Sequence, residues 1–386
     1  MDFSLTEQQQ AMRDAARQFA QNRLPDEADA IERSATPPSK ALIKEFAEMG
    51  FLGINIPEEF GGLGLSSLDA LIVLEEFAKV SSAVAFPVFE SCTGPVKAIE
   101  HFGSDELQQR VIPAVCAGDS VVAIAMSEPN AGSALTDLTT QAVIDGDTVR
   151  INGMKRWCSG GGHADGYLVY CRMADKPGAK GIGAVYVDGD ANGLSFGEQE
   201  SLMGFRGVPS SDLYFDNVEV PRNQVIVEAG GFGKLMQAFD LERCGNATMA
   251  MSQAAGALDE VIDYVQERRQ FGKPIVDFQA VQLRLAEMQM QVDASRLLIH
   301  RAIANAQSGM PSIQDSSIAK CYANEISRTV TGNAMQLMGG YGYSCEYRIE
   351  RRMRDAWGWG IAGGAIDIQK VNIASAIVGR RFNQRA

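Results

Sequence analysis

Between Val121 and about Pro221 the apolar residues of this chain change period, and that switch limits the folds open to it more than any other feature. On the N-terminal side, from Leu5 to about Cys116, they recur at three- and four-residue steps in FSLTEQQQAMRDAARQFAQ, ALIKEFAEMGFLG and SLDALIVLEEFAKV, the pattern of helices, with breaks expected at PEEFGGLG and FPVFESCTGP. The middle stretch holds short runs rich in Val, Ile and Tyr, namely VVAIAMS, QAVIDGDTVRING, GYLVYCRM, GIGAVYVD and SSDLYFDNVEV, parted by Gly, Asp and Asn turns, which read as antiparallel strands. After Gly230 the helical step returns over long segments, Phe232 to Arg269, Phe278 to Ala306 and Ile313 to Met338, as in Val281, Leu285, Met288, Val292 and Leu298. A chain of 386 residues exceeds one compact core. The expected fold is mainly α with a central β domain: an N-terminal helical domain over 1–120, a middle antiparallel, barrel-like β domain over 121–225, and a C-terminal four-helix bundle over 226–386 whose apolar stripes also serve subunit contacts. The Met-rich AEMQMQ reads as core filler.

A net charge of −13 argues against nucleic acid or an anionic membrane as a partner. The opening MDFSLTEQQQAMRDAARQFA lacks a basic region followed by an apolar one, and no window approaches a membrane span, so a cytoplasmic protein is expected. Seven scattered cysteines without a CxxC pair read as reduced, buried thiols. Three histidines, His101, His163 and His300, show no ligand spacing, and no metal is expected.

Two stretches stand out chemically. AMSEPNAGSALTDL, 125 to 138, leaves a strand and enters a turn where Gly132 and Ser133 expose backbone N–H groups and a hydroxyl, which can hold a phosphate, although such a stretch is more often simply a turn. RDAWGWGIAGGAIDIQ, 354 to 369, has two tryptophans and four glycines but no proton-transferring group in its middle. From composition alone it is the end of a charged helix, its Arg and Asp solvated, followed by a glycine-rich loop.

Taken in order, SEPNAGS, NGMKRWCSGG (152 to 161), ERRQFGKP (267 to 274), NAMQLMGGYGY (333 to 343) and RIERRMRDA resemble the acyl-CoA dehydrogenase family in sequence and spacing over nearly the whole chain. The resemblance implies one FAD per subunit, a homotetramer, an acyl-CoA substrate and an electron-transfer flavoprotein as electron acceptor. It implies that Met126 and Ser127 meet the flavin ring and that Ser133 bonds its pyrophosphate. Trp157 and Ser159 would cover the ring, the alternative for Trp157 being a core indole. Arg268, Gln270 and Phe271 match the segment that reaches the FAD of a neighbouring subunit, and Gln336, Gly339 and Gly340 match the loop against its adenosine part.

Most family members carry a glutamate base in the turn after RDA, where this chain has Gly363. Glu242 in FDLERCGNA falls where a branch similar to isovaleryl-CoA and long-chain dehydrogenases places its base instead, with Gly363 leaving the carboxylate space and offering its N–H to the thioester oxygen. Without that resemblance, Glu242 and Arg243 would be a solvated helical pair. Arg243 is expected to order the helix and the CoA chain, and Arg206 is a further cation for CoA. The small Ala362 and Gly363 favour a branched, cyclic or aryl-bearing acyl group, with Phe86, Phe89 and Trp359 as aromatic walls or as core. Ala134, where the family usually has Asp, is shared with a desulfinase-like branch, so a lyase on a β-substituted acyl-CoA is a rival, as is a non-catalytic flavin or CoA binder. That branch lacks the base, and AVAFPVFES offers no arginine for a sulfinate.

Overall fold

The computed structural model describes residues 3–382. Six helices come first: α1 (Glu7–Ser34), α2 (Lys40–Glu48), α3 (Ser67–Ala78), α4 (Ser82–Thr93), α5 (Pro95–Phe102) and α6 (Asp105–Cys116). Side-chain caps start most of them. Thr6 and Gln9 form a reciprocal capping box on α1, Ser66 and Asp69 another on α3, and Ser39, Ser81 and Ser104 cap α2, α4 and α6. The break expected at FPVFESCTGP falls later, because α4 runs through Pro87 to Thr93. A proline inside a helix costs about 3 kcal/mol, but Val84, Val88 and Phe89 are buried on this helix, and each such side chain returns roughly 1.5–3 kcal/mol. The chain breaks instead at Gly94, with Pro95 opening α5.

Eight strands follow: β1 (Val122–Ala125), β2 (Gln141–Asp145), β3 (Thr148–Ser159), β4 (Gly166–Arg172), β5 (Ile182–Asp188), β6 (Leu194–Phe196), β7 (Ser210–Pro221) and β8 (Val225–Val227). Their order is β6-β7-β3-β2-β4-β5-β8. The sheet is not wholly antiparallel, since β1 lies parallel along β4 from Val122↔Gly166 to Ala125↔Val169. A parallel neighbour needs a long connection, and β2 with β3 supply it. β3 and β7 slip register between Lys155 and Cys158, so that Arg156 and Trp157 together oppose a single residue, Asp212. That bulge puts Trp157 at φ +62°.

The C-terminal part is α7 (Phe232–Glu267), a hairpin of β9 (Arg269–Gln270) and β10 (Lys273–Pro274), then α8 (Gln279–Ala304), α9 (Ile313–Met338), α10 (Gly340–Tyr343), α11 (Ile349–Trp359) and α12 (Ile366–Val378). α9 packs against α7, α8, α11 and α12. The charges of α11 are not solvated. Arg351, Arg352 and Asp355 are buried: Arg351 donates to Asp29 at 3.1 Å and Arg352 to Glu260 at 2.7 Å, while Asp355 accepts from the Phe205 N–H at 2.7 Å. With Arg354 bonded to Glu32 at 2.6 Å, α11 ties the bundle to α1 and to the segment after β6. Among the described residues no helix is long and apolar enough to cross a membrane, and six cysteines are buried free thiols while Cys345 is exposed.

Candidate active site

The end of β1 and the bulge of β3 form one rigid patch. The Arg156 N–H donates to the Ser127 carbonyl at 3.0 Å, and Lys155 Nζ donates to the Met126 carbonyl at 3.0 Å. Beneath the turn that follows, Glu128 is buried and accepts from Thr139 N–H at 2.7 Å, Thr140 N–H at 2.9 Å and Lys155 Nζ at 2.9 Å. Burial opposes ionisation there, yet the Lys155 charge and these hydrogen bonds hold the Glu128 carboxyl at about 2. With its underside fixed, the turn presents Gly132 and Ser133 outward, and no atom stands within 4 Å of where a Cβ on Gly132 would be.

Trp157 is not a core indole: it is 53% exposed. The Arg156 guanidinium stacks over its ring at 4.3 Å and is itself held by Asp212 and Glu200, each at 2.7 Å. Met126, Ser127 and Ser159 are half-buried beside it. Hydroxyls, free N–H groups and a locked, exposed indole along one rim are the donor set that a flavin and its phosphates require.

Glu242 lies on α7 and Gly363 in the loop between α11 and α12; Lys320, on α9, is bonded to that loop. Its Nζ, fully buried, donates to the Ala362 carbonyl at 2.6 Å and the Gly363 carbonyl at 2.5 Å, while its charge acts on Glu242. Asn246 donates to the Trp359 carbonyl at 3.1 Å and accepts from Asn324 at 3.0 Å, fixing the same loop. The Gly363 N–H donates to no acceptor among the described residues. Gly363 has φ +64°, and the space its missing Cβ leaves faces Lys320 Nζ at 3.1 Å, Phe239 Cζ at 3.6 Å and Asn246 Nδ2 at 3.7 Å, rather than Glu242.

Glu242 is half-buried, but its surroundings are protein, and burial raises its carboxyl to about 8 against the opposing charges of Lys320 and Arg243. Burial and then the Arg243 charge lower Lys320 to about 7, with Glu242 pulling the other way. The two carbonyls it grips favour the ammonium form. Arg243 is no partner for a solvent-borne phosphate: it is buried, ion-paired to Asp240 and packed over the Phe239 ring at 5.1 Å. Asp240 is fixed in turn by Ser316 Oγ at 2.7 Å. Arg206 is exposed and pairs with Glu32 at 3.2 Å. Trp359, 2% exposed, sits in the core between Phe89 and Phe205, its Nε1 donating to Ser82 Oγ at 3.2 Å. Ala362 and Phe86 are half-buried.

The remaining expected residues form a second group far from the first. Arg268 caps the end of α7, 26 residues beyond Glu242, which at 1.5 Å per residue is about 39 Å. Its guanidinium stands over the Tyr341 ring at 5.6 Å, so the hairpin with Gln270 and Phe271 and the loop with Gln336, Gly339 and Gly340 lie at the same end of the bundle. All of these are exposed, Phe271 at 94% and φ +51°. Sequence reasoning missed Lys320, Asn246, Asn324 and Glu90. Their one signal is a polar side chain on an otherwise buried helix face.

No cluster of three or more His, Cys, Asp or Glu able to hold a metal occurs among the described residues. A groove of about 720 Å³ between the N-terminal segment and α8, lined by Phe3, Arg13, Glu75, Arg296 and His300 among others, contains none of the residues above.

Three family descriptions match this chain in order: acyl-CoA dehydrogenase, N-terminal domain over residues 6–119, middle domain over 123–218 and C-terminal domain over 229–378. The chain is 37% identical to the probable acyl-CoA dehydrogenase FadE25 of Mycobacterium tuberculosis over 97% of both chains. It is 36% identical to the 3-sulfinopropanoyl-CoA desulfinase of Paraburkholderia xenovorans over 99% of both. Among solved structures, butyryl-CoA dehydrogenase from Megasphaera elsdenii matches with a TM-score of 0.94 at 32% identity, over 98% of this chain and 100% of the other.

Proposed function

This chain belongs to the acyl-CoA dehydrogenase family, and on that premise we propose that it is an FAD-dependent dehydrogenase in which Glu242 takes the α-proton of an acyl-CoA thioester and a trans-2-enoyl-CoA results. The observation that carries this reading is Lys320, whose Nζ grips the Ala362 and Gly363 carbonyls while its charge acts on Glu242, a half-buried carboxyl that its protein surroundings raise to about 8, with the Gly363 N–H left without an acceptor among the described residues. Thioester α-protons are weak acids, so the base needs a raised proton affinity and the developing negative charge on the thioester oxygen needs a fixed donor. Glu242 supplies the first. The Gly363 N–H supplies the second, and Lys320 holds the peptide that carries it by gripping the carbonyls on either side.

FAD, when bound, supplies the acceptor for the hydride of the β-carbon. Ser127, Ser159 and Trp157 would hold its ring with Met126, Ser133 and the N–H groups of the turn its pyrophosphate. Arg268, Gln270 and Phe271, with Gln336, Gly339 and Gly340, would complete the site of a second copy, because they stand about 39 Å from Glu242 of their own chain. The assembly therefore needs at least a second copy, a homotetramer on the family resemblance, electrons leave to an electron-transfer flavoprotein, and free thiols throughout support a cytoplasmic setting.

The desulfinase relative is as similar in identity as FadE25, so identity does not separate the two activities. Chemistry favours dehydrogenation: a carboxyl suited to act as base is present in Glu242, and α4, with the run AVAFPVFES, offers no arginine to hold a sulfinate. The small Ala362 and Gly363 favour branched, cyclic or aryl acyl groups. The test is anaerobic titration of the purified protein with isobutyryl-, isovaleryl-, cyclohexanecarbonyl-, phenylpropionyl- and octanoyl-CoA. Bleaching of the flavin is expected, greatest with the bulky acyl groups. Sulfite release from 3-sulfinopropanoyl-CoA would identify the lyase, and a spectral shift without bleaching would identify a mere binder.

A further inference from the structure

One carboxyl beside the site has no part in the proton transfer. Glu90 is the single carboxyl of α4, in the run AVAFPVFESC. It is 8% exposed, and its Oε2 is sealed off with no hydrogen-bond partner. The carboxyl folds back over Gly94, where a Cβ would come within 2.6 Å of Oε2. Gly245, one helical turn from Glu242, lets α7 approach α4 at this level: a Cβ there would lie 2.4 Å from Thr93 Oγ1 and 2.9 Å from Phe89 Cε2. Burial and then the Glu242 charge raise the Glu90 carboxyl well above the usual carboxylate range, and Glu90 acts likewise on Cys158 in the β3 bulge. Glu90 thus stands one turn of α4 before Thr93, which packs on α7 one turn from Glu242.

The nearby cations are committed elsewhere. Arg243 is held by Asp240, Lys320 by the carbonyls of 362 and 363, and Lys97 by Glu100 and the Asn55 carbonyl. A buried carboxyl without a partner costs free energy that folding alone does not recover. Resting in its neutral form, it offers one donor and one acceptor, which is the complement of a hydroxyl. An ammonium on the ligand would instead meet Lys320 and Arg243, and a carboxylate would meet Glu242.

We propose that Glu90 is a specificity-determining residue that hydrogen-bonds a hydroxyl carried on the acyl group, so that the substrate class is hydroxylated acyl-CoA thioesters. The proposal rests on the dehydrogenase reading above and sharpens it. Sites built to bond a substrate hydroxyl discriminate strongly against analogues lacking it, because the buried protein group is then left unpaired.

The test uses the holoenzyme and matched thioesters: cyclohexanecarbonyl-CoA against its 3- and 4-hydroxy derivatives, and 3-phenylpropionyl-CoA against 3-(4-hydroxyphenyl)propionyl-CoA, with 6-aminohexanoyl-CoA and glutaryl-CoA as charged arms. At least one hydroxylated member should exceed its parent in kcat/KM for flavin reduction by about tenfold or more. That ratio should fall to about one in Glu90→Leu and be partly kept in Glu90→Gln, whose amide still donates and accepts. Only the ratio within each protein is read, so a general loss of activity does not mimic the result, and if the variants fail to fold the wild-type ratios decide. Equal turnover of every pair, a clear preference for a charged arm, or a ratio that survives Glu90→Leu would overturn the proposal. Failure of all the thioesters to reduce the flavin would instead overturn the dehydrogenase reading itself.

Discussion

A glutamate with ordinary proton affinity would be a feeble base towards a thioester, and in the proposed reaction the protein surroundings of Glu242, which raise its carboxyl to about 8, correct that. Glu242→Gln keeps size and polarity but cannot accept the proton, so the rate of flavin reduction should fall by about 10²–10⁴ or more in stopped-flow measurements, with flavin content unchanged. Since only the ionised form works, kcat/KM should climb as pH rises through about 8. Stability runs the other way. The folded protein holds the Glu242 proton up to about 8, whereas an unfolded glutamate releases it near 4.5, so more protons are bound in the folded state and stability falls as pH rises across that window. Thermal melts of Glu242→Gln should show a flatter slope between these limits than the parent. Glu242 and Gly363 were legible in the sequence because each sits inside a recognisable motif. Lys320 and Glu90 were not. A lone polar residue within an apolar helical run leaves no periodic trace, and only the approach of α9 to the 362–363 carbonyls and of α4 to α7 shows what such a residue serves.

The β3 bulge shows how an element can hold a side chain out in water. Two residues face Asp212 alone, Trp157 takes a left-handed backbone, and Arg156, clamped by two carboxylates, keeps the indole from collapsing inward. Below it the Glu128–Lys155 pair is buried on both sides. Glu128→Gln would leave the Lys155 ammonium without its counter-charge, and removal of one partner of such a pair costs about 3–5 kcal/mol. Denaturant melts should show that loss, together with weaker retention of FAD. In the parent the depressed Glu128 carboxyl contributes stability that is present above about 4.5 and lost as pH falls towards 2. The long helices were readable to within a few residues because their apolar stripes run for many turns. The continuation of α4 through Pro87 was not, since local propensity argued for a break and only burial on nearly all sides overrode it. Nor was the parallel pairing of β1 with β4, because strand alternation carries no information about direction.

Across the whole molecule, α7 places Glu242, the proposed base, about 39 Å from the Arg268 hairpin, and the bundle's exterior carries exposed Phe271, Leu283, Met290, Ile361 and Ile377. In the assembly proposed above, Phe271→Ser should weaken subunit association in sedimentation velocity and lower FAD content, although Glu242 and its neighbours are untouched. Replacing Arg268 and Gln270 together by Ala should deplete FAD with less effect on association. This separation also bears on inheritance. A cell carrying one gene copy with Glu242→Gln and another with the hairpin residues replaced would make two inactive products. In each mixed pair, however, one site joins a sound base from one parent to a sound hairpin from the other, while the second site collects both defects. Two null alleles would therefore complement each other to about half activity per mixed pair, and neither would do so with a deletion of the gene.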